Sequence, residues 1–218
     1  MRLQSFAITR AGIGRDHNED HHVRDDGMEL YAVADGMGGH PAGEVASRLA
    51  CAAVRLRRTS AAAHALAHLC ILGSAKKNPD QRGMGCTLTT LRASSPGRLT
   101  VDHAGDSRCY MVRGGVGCQL TTDHKDGKYL ANGVGGNLAF YRGHDSHEVA
   151  VRVGDVFLLC SDGIGDHVSA DDLAAAVVSV RATQPKNAAE LLAHNVLLLA
   201  LSRGSTDDLT AVIVEVCN

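Results

Sequence analysis

Aromatic side chains are scarce in this chain: Phe, Trp and Tyr together make up 3% of it, and Trp is absent. A core must therefore be filled by Ala, Val, Leu and Ile rather than by large rings. A strong charge of one sign is also lacking. The formal net charge of −2 favours neither nucleic acid nor an anionic membrane surface as a partner. Long apolar runs are missing; the most apolar late stretch, residues 196–201, is far too short to span a bilayer. The N-terminal "MRLQSFAITRAG" has no apolar h-region, so no signal peptide is expected. Seven cysteines occur, an odd number, and none form a CxxC pair. That usage fits a reduced, cytoplasmic protein and not a disulfide scaffold or zinc site. No linker-like tract or internal repeat divides the 218 residues, so one domain spanning 1–218 is expected, and it is read as a monomer.

Hydrophobic periodicity supplies the elements. Alternation predicts strands over 3–9 and 28–34, and apolar residues at three-to-four spacing predict a helix over 42–58. A second helix is expected over 61–72. Strands follow at 86–91, 98–103 and 107–113, with "SSPG" and "AGD" read as hairpin connections. "VAVRV" and "VFLLCSD" read as two more strands about a tight "GD" turn. Helices over 170–181 and 187–202 and a last strand over 209–216 complete the chain. Short turns between strands imply antiparallel sheets, with helix pairs packed outside them.

Acidic residues gather where apolar strands end. Asp35 follows "YAVA" and precedes Gly36; Asp162 follows "VFLLCS" and precedes Gly163; Asp106 sits in "HAGDSR". Glu19-Asp20 and Asp207-Asp208 are two further corners. Asp alone favours turns, which is one account of each position. The other is a shared cation site, since hard divalent ions prefer oxygen ligands and carboxylates brought together repel without one. Arg15 is either a solvated loop residue or a planar fork for a phosphate.

Seven segments in order carry a family resemblance: "RDHNED" (15–20), "VADGMGGHPAGEVAS" (33–47), "GMGCTL" (83–88), "HAGDSRCY" (103–110), "LTTDH" (120–124), "VGDVFLLCSDGI" (153–164) and "STDDLTAVIVE" (205–215). Together they resemble the metal-dependent (PPM, type 2C) Ser/Thr protein phosphatases, the bacterial single-domain branch above all. The resemblance implies an α+β fold, a four-layer αββα sandwich of two antiparallel sheets flanked by helix pairs. It implies two Mn²⁺ or Mg²⁺ ions: Asp35 as the bridge, the Gly36 carbonyl, Asp162 and Asp207 at one ion, and Asp20 with Glu19, directly or through water, at the other. Arg15 would bind phosphate and His40 is a candidate general acid. The implied partners are a phosphorylated protein substrate and an opposing bacterial Ser/Thr kinase.

The chain departs from the family pattern in one long segment. Between "TTDH" and the strand before "GD" the family's helical flap is replaced by the short, glycine-rich residues 125–147. This puts in doubt a third metal at Asp106, which flap residues help to form in relatives. Asp208 stands where Asn is usual and Cys86 where Thr is usual. His17, His21 and His22 read as surface or supporting residues, and the i, i+4 pair His64 and His68 as helix-surface residues. Three functions are carried forward: a phosphoserine/phosphothreonine phosphatase, a regulatory pseudophosphatase that binds phosphoproteins, and a two-metal phosphatase or phosphodiesterase of small molecules.

Overall fold

The computed structural model describes residues 2–37, 42–56, 59–183 and 186–218. In chain order its elements are β1 (Arg2–Arg10), β2 (Asp20–Asp25), β3 (Leu30–Asp35), α1 (Gly43–Arg55), α2 (Ser60–Lys77), β4 (Gly85–Cys86), β5 (Leu88–Ser95), β6 (Arg98–Ala104), β7 (Arg108–Arg113) and β8 (Val116–Gln119). There follow β9 (Lys125–Asp126), β10 (Tyr129–Leu130), β11 (Val134–Gly135), β12 (Asp145–Ala150), β13 (Val156–Cys160), α3 (Asp162–Gly165), α4 (Ala170–Ala182), α5 (Ala188–Ser202) and β14 (Leu209–Cys217).

Two five-stranded sheets dominate, ordered β1-β14-β13-β7-β8 and β12-β6-β5-β3-β2. Every neighbouring pair in them is antiparallel. The two-residue period of a strand sorts its side chains between layers. In β3, Leu30, Ala32 and Ala34 face α1 and α2, whereas Tyr31 and Val33 face the other sheet. In β13, Val156, Leu158 and Cys160 face α4 and α5, and Phe157 and Leu159 point between the sheets. Both faces of these strands are buried, which is why they read as unbroken apolar runs. The result is the expected αββα order: α1 and α2, one sheet, the other sheet, α4 and α5.

Small residues suit this packing. Ala46, Ala50 and Ala53 of α1 meet Ala63 and Ala67 of α2 over Ala32 and Ala34, and a cluster without bulky rings brings these layers close. Helix α4 starts on a capping box, in which Ser169 accepts from the Asp172 amide and Asp172 accepts from the Ser169 amide. Among the described residues, no helix is long and apolar enough to cross a membrane.

Several expectations need correction. "AGD" is not a hairpin turn: β6 and β7 lie in different sheets, so it crosses between them, and the tight "GD" turn likewise leads from the sheet of β12 to that of β13. The strand expected at 149–153 runs instead over Asp145–Ala150, paired with β6. That edge strand is largely exposed, so it carries almost no apolar pattern. Strand β2 also lacks an apolar pattern; it is an edge strand of polar residues in which Val23 is the one apolar side chain. His64 and His68 are buried, not surface residues. With Ala67 and Ile71 they share the inward face of α2 at 64, 67, 68 and 71. His64 Nε2 donates to the Leu88 carbonyl at 3.2 Å, and His68 Nδ1 accepts from the Gly135 amide at 3.1 Å. An alanine-rich helix offers no polar contrast by which to tell its faces apart.

Phe157 is fully buried between the sheets, whereas Leu198 of α5 is 60% exposed. Phe157→Ala should lower the unfolding free energy by about 3–5 kcal/mol, and Leu198→Ala by less than about 0.5 kcal/mol. Urea denaturation of the two variants checks the contrast.

Candidate active site

The acidic corners converge at one end of the sandwich. Strand β3 delivers Asp35, β2 delivers Asp20, the β6–β7 crossing delivers Asp106, the first residue of α3 is Asp162, and the loop before β14 carries Asp207 and Asp208. Asp20 and Asp35 face each other directly across the β2–β3 ladder. Arg15, Asp35, Gly36, Asp106, Asp162 and Asp207 line a cavity of about 630 Å³. Asp20 is buried beside it, and Glu19 stands next to Arg15, 3.7 Å away.

Backbone and hydroxyl contacts set these carboxylates. The Asp35 amide donates to Thr87 Oγ1 at 2.9 Å, the Thr87 amide donates to the Asp35 carbonyl at 2.8 Å, and Thr87 Oγ1 lies 2.7 Å from Ser107 Oγ. Ser161 Oγ donates to Asp20 Oδ2 at 2.7 Å while accepting from the Thr210 amide at 3.1 Å. Thr87, Ser107 and Ser161 are positioning residues that the motifs alone do not single out; Ser107 and Ser161 stand next to Asp106 and Asp162, whereas Thr87 is far from any acid in sequence. Close approach demands glycine at two points. A Cβ on Gly36 would lie 2.5 Å from the Gly43 carbonyl carbon, and one on Gly163 would lie 2.1 Å from the Asp208 carbonyl oxygen.

The cluster is under electrostatic stress. Burial, opposed by the hydrogen bonds from Ser161 and Thr210 and reinforced by Asp208 and Asp162, pushes Asp20 up to about 7. Asp162 is raised to about 6 by burial and by the charges of Asp106 and Asp207. Asp35 is raised well above the usual carboxylate range by burial, then by Asp20, Asp162 and Asp106. Its carboxyl group is within hydrogen-bonding reach of Asp162. Asp20 Oδ1 is buried without a hydrogen-bond partner. Hard oxygen donors, mutual repulsion and an orphaned buried oxygen together fit divalent cations.

Arg15 is held by carboxylates: its guanidinium lies 2.5 Å from Asp207 and 3.2 Å from Asp208. Asp208 is more than an added charge. Fully buried, it accepts from the amides of Gly12 and Glu19, each at 2.8 Å, and so ties the 12–19 loop to the start of β14. His17 Nε2 lies 3.6 Å from Glu19 and 3.8 Å from Glu44 at the exposed edge. His40 falls at 38–41, outside the described residues. All seven cysteines are free.

In place of a long flap, residues 125–140 form the far wall. Lys128, Tyr129, Leu130, Asn137 and Phe140 line the cavity there. Asp106 does not stand alone: Lys125 Nζ lies 3.0 Å from its Oδ2.

Comparison with known proteins agrees with this architecture. The protein phosphatase 2C family profile matches residues 13–196. The Mycobacterium tuberculosis serine/threonine protein phosphatase PstP is 35% identical over 242 residues, covering 98% of this chain and 45% of PstP. The chain thus spans about half the length of that relative. The Listeria monocytogenes serine/threonine phosphatase stp is 30% identical over 250 residues, covering 95% of this chain and 93% of stp. Among solved structures, the catalytic domain of PstP in complex with two manganese ions superposes with a TM-score of 0.81 at 31% identity, over 100% of this chain and 99% of that one. On the match over most of its length, the chain belongs to the protein phosphatase 2C family.

Proposed function

We propose that the chain is a metal-dependent protein serine/threonine phosphatase that hydrolyses phosphoserine and phosphothreonine esters, reversing the action of a Ser/Thr kinase. The observation that carries this reading is the carboxylate cluster at the cavity, with Asp20 Oδ1 buried and unpartnered. A pair of divalent cations, manganese as in the PstP complex or magnesium, supplies when bound an activated water and relief of the negative charge on the phosphoryl oxygens. Asp35, the Gly36 carbonyl, Asp162 and Asp207 are the residues assigned to one ion; Asp20 and Glu19 are assigned to the other.

The chain's own groups then do the following. Asp35 and Asp20, opposed on neighbouring strands, hold their oxygens at a spacing that the ladder fixes. Thr87 fixes the backbone that carries Asp35, and Ser161 orients the Asp20 carboxylate. Arg15, at the cavity wall, offers a planar fork that would bind the substrate phosphate. Lys128, Tyr129 and Phe140 bound the space left for the substrate's peptide. His40 carries no step in this account.

Asp35→Asn and Asp162→Asn should each cut Mn²⁺-dependent phosphate release from a phosphothreonine peptide by more than about 100-fold. Wild-type turnover retained in either variant sinks the site. Absence of turnover in the wild type with Mn²⁺ and Mg²⁺, with phosphopeptide binding intact, replaces the reading with a binding module; turnover confined to small phosphate esters replaces the substrate class. Arg15→Ala should chiefly raise KM.

The raised carboxyl groups also give the metal-free protein a distinctive pH dependence. Asp20, raised to about 7, and Asp162, raised to about 6, bind protons in the folded state that the unfolded chain has already lost. Their folded pKa values lie above the unfolded ones, so the folded state gains stability as pH falls from about 7 towards 4. Thermal unfolding of the metal-free protein should show Tm rising over this window, and saturating Mn²⁺ should flatten the trend.

A further inference from the structure

Resting on the metal-dependent reading above, we infer that Lys125 is a resident counter-ion of the site: its ammonium holds Asp106 in an ion pair, keeps that carboxylate from ligating a cation, and so limits how many cations the cluster takes up. The position of Lys125 is set by its neighbour. The His124 amide donates to the Gly105 carbonyl at 2.7 Å, and the Gly105 amide donates to His124 Nδ1 at 3.2 Å. This double link clamps the start of β9 onto the crossing that carries Asp106. A Cβ on Gly105, whose φ is +134°, would lie 2.5 Å from Thr87 Cβ, so the crossing itself has little freedom.

From that clamp, Lys125 Nζ reaches Asp106 Oδ2 at 3.0 Å and Asp166 Oδ2 at 3.6 Å. Asp106 is 8% exposed and Lys125 is half-buried, so the pair is partly shielded from solvent and from screening. Asp166 follows α3, whose first residue is Asp162, and Arg108 also pairs with it at 2.8 Å. Lys125 therefore joins the Asp106 turn to the helix that carries Asp162.

Charge balance gives this pair its consequence. Glu19, Asp20, Asp35, Asp106, Asp162, Asp207 and Asp208 are seven carboxyl groups, and Arg15 and Lys125 are the guanidinium and ammonium groups that pair with them, leaving a formal charge of −5 when every acid is ionised to receive cations. Two divalent cations bring that close to neutrality. Without Lys125 the deficit grows by one charge and a carboxylate at the cavity wall loses its partner, which are the conditions for taking up another hard cation.

The test is the number of Mn²⁺ ions bound, measured by titration calorimetry and by electron paramagnetic resonance of free Mn²⁺. Wild type, Lys125→Met, Lys125→Arg, Asp106→Asn and the Lys125→Met/Asp106→Asn double variant are compared. Wild type, Lys125→Arg and Asp106→Asn should bind the same number, with Kd values within about threefold. Lys125→Met should bind a further ion, about 10–100-fold more weakly than the rest, and the double variant should lose it again. An unchanged count in Lys125→Met overturns the assignment of Lys125 alone. So does loss of an ion in Asp106→Asn, which would make Asp106 a ligand already; this arm stands even where Lys125→Met fails to fold. No Mn²⁺ uptake by the wild type overturns both this inference and the metal-dependent reading.

Discussion

Mutual repulsion among carboxylates constrains one whole end of this sandwich. Asp20 and Asp35 are direct partners across a β-ladder, an arrangement of like charges that weakens strand pairing. Burial and neighbouring acids raise Asp20, Asp35 and Asp162 together, so folding without cations leaves the cluster wanting protons. The fold tolerates this because each acid is fixed by something else. Asp20 is gripped by Ser161, Asp35 by the double link to Thr87, and Asp208 by two amides of the 12–19 loop. Stability is spent at this end of the molecule so that oxygen donors stand ready in a fixed geometry.

The remainder of the structure supplies rigidity from small parts. Strands buried on both faces divide their side chains between an inter-sheet layer and a helix-facing layer. With so few rings available, close contact comes from alanines and glycines. The same economy operates at the site, where Gly36 against Gly43 and Gly163 against the Asp208 carbonyl bring backbone segments nearer than any other residue allows. The acidic strand ends are therefore anchored on a packed frame, not on mobile loops.

What was legible in the sequence follows from burial. β3, β13 and β14 read as apolar runs because both their faces are covered, and the acid after β3 and β13 and before β14 was visible as an abrupt change of character. β2 and β12 were hidden because an edge strand buries so few side chains. The crossing at Gly105 resembled a hairpin turn, since local composition says that the chain reverses but not into which sheet. His64 and His68 were misplaced because the helix around them is apolar on most sides. The convergence of Asp35, Asp106, Asp162 and Asp207 on one cavity could not be read from spacing, which records order along the chain and not distance across it. Seven motifs in family order conveyed it instead.

Residues 121–147 show how a short segment can do structural work at such a site. Arg108 pairs with Asp123 at 2.6 Å and with Asp166 at 2.8 Å, Lys125 lies between Asp166 and Asp106, and Asp106 in turn bears on Asp35 and Asp162. Charges of alternating sign thus run from the protein's flank into the cavity, each held by the next. Beyond Lys125 the chain turns back through β9 and β10 and places Tyr129 and Phe140 on the opposite wall. A wall anchored by ion pairs needs no helix of its own to be held in place. The same contacts that close the cavity therefore determine which of its carboxylates remain available, so the shape of the site and its charge are set by one segment.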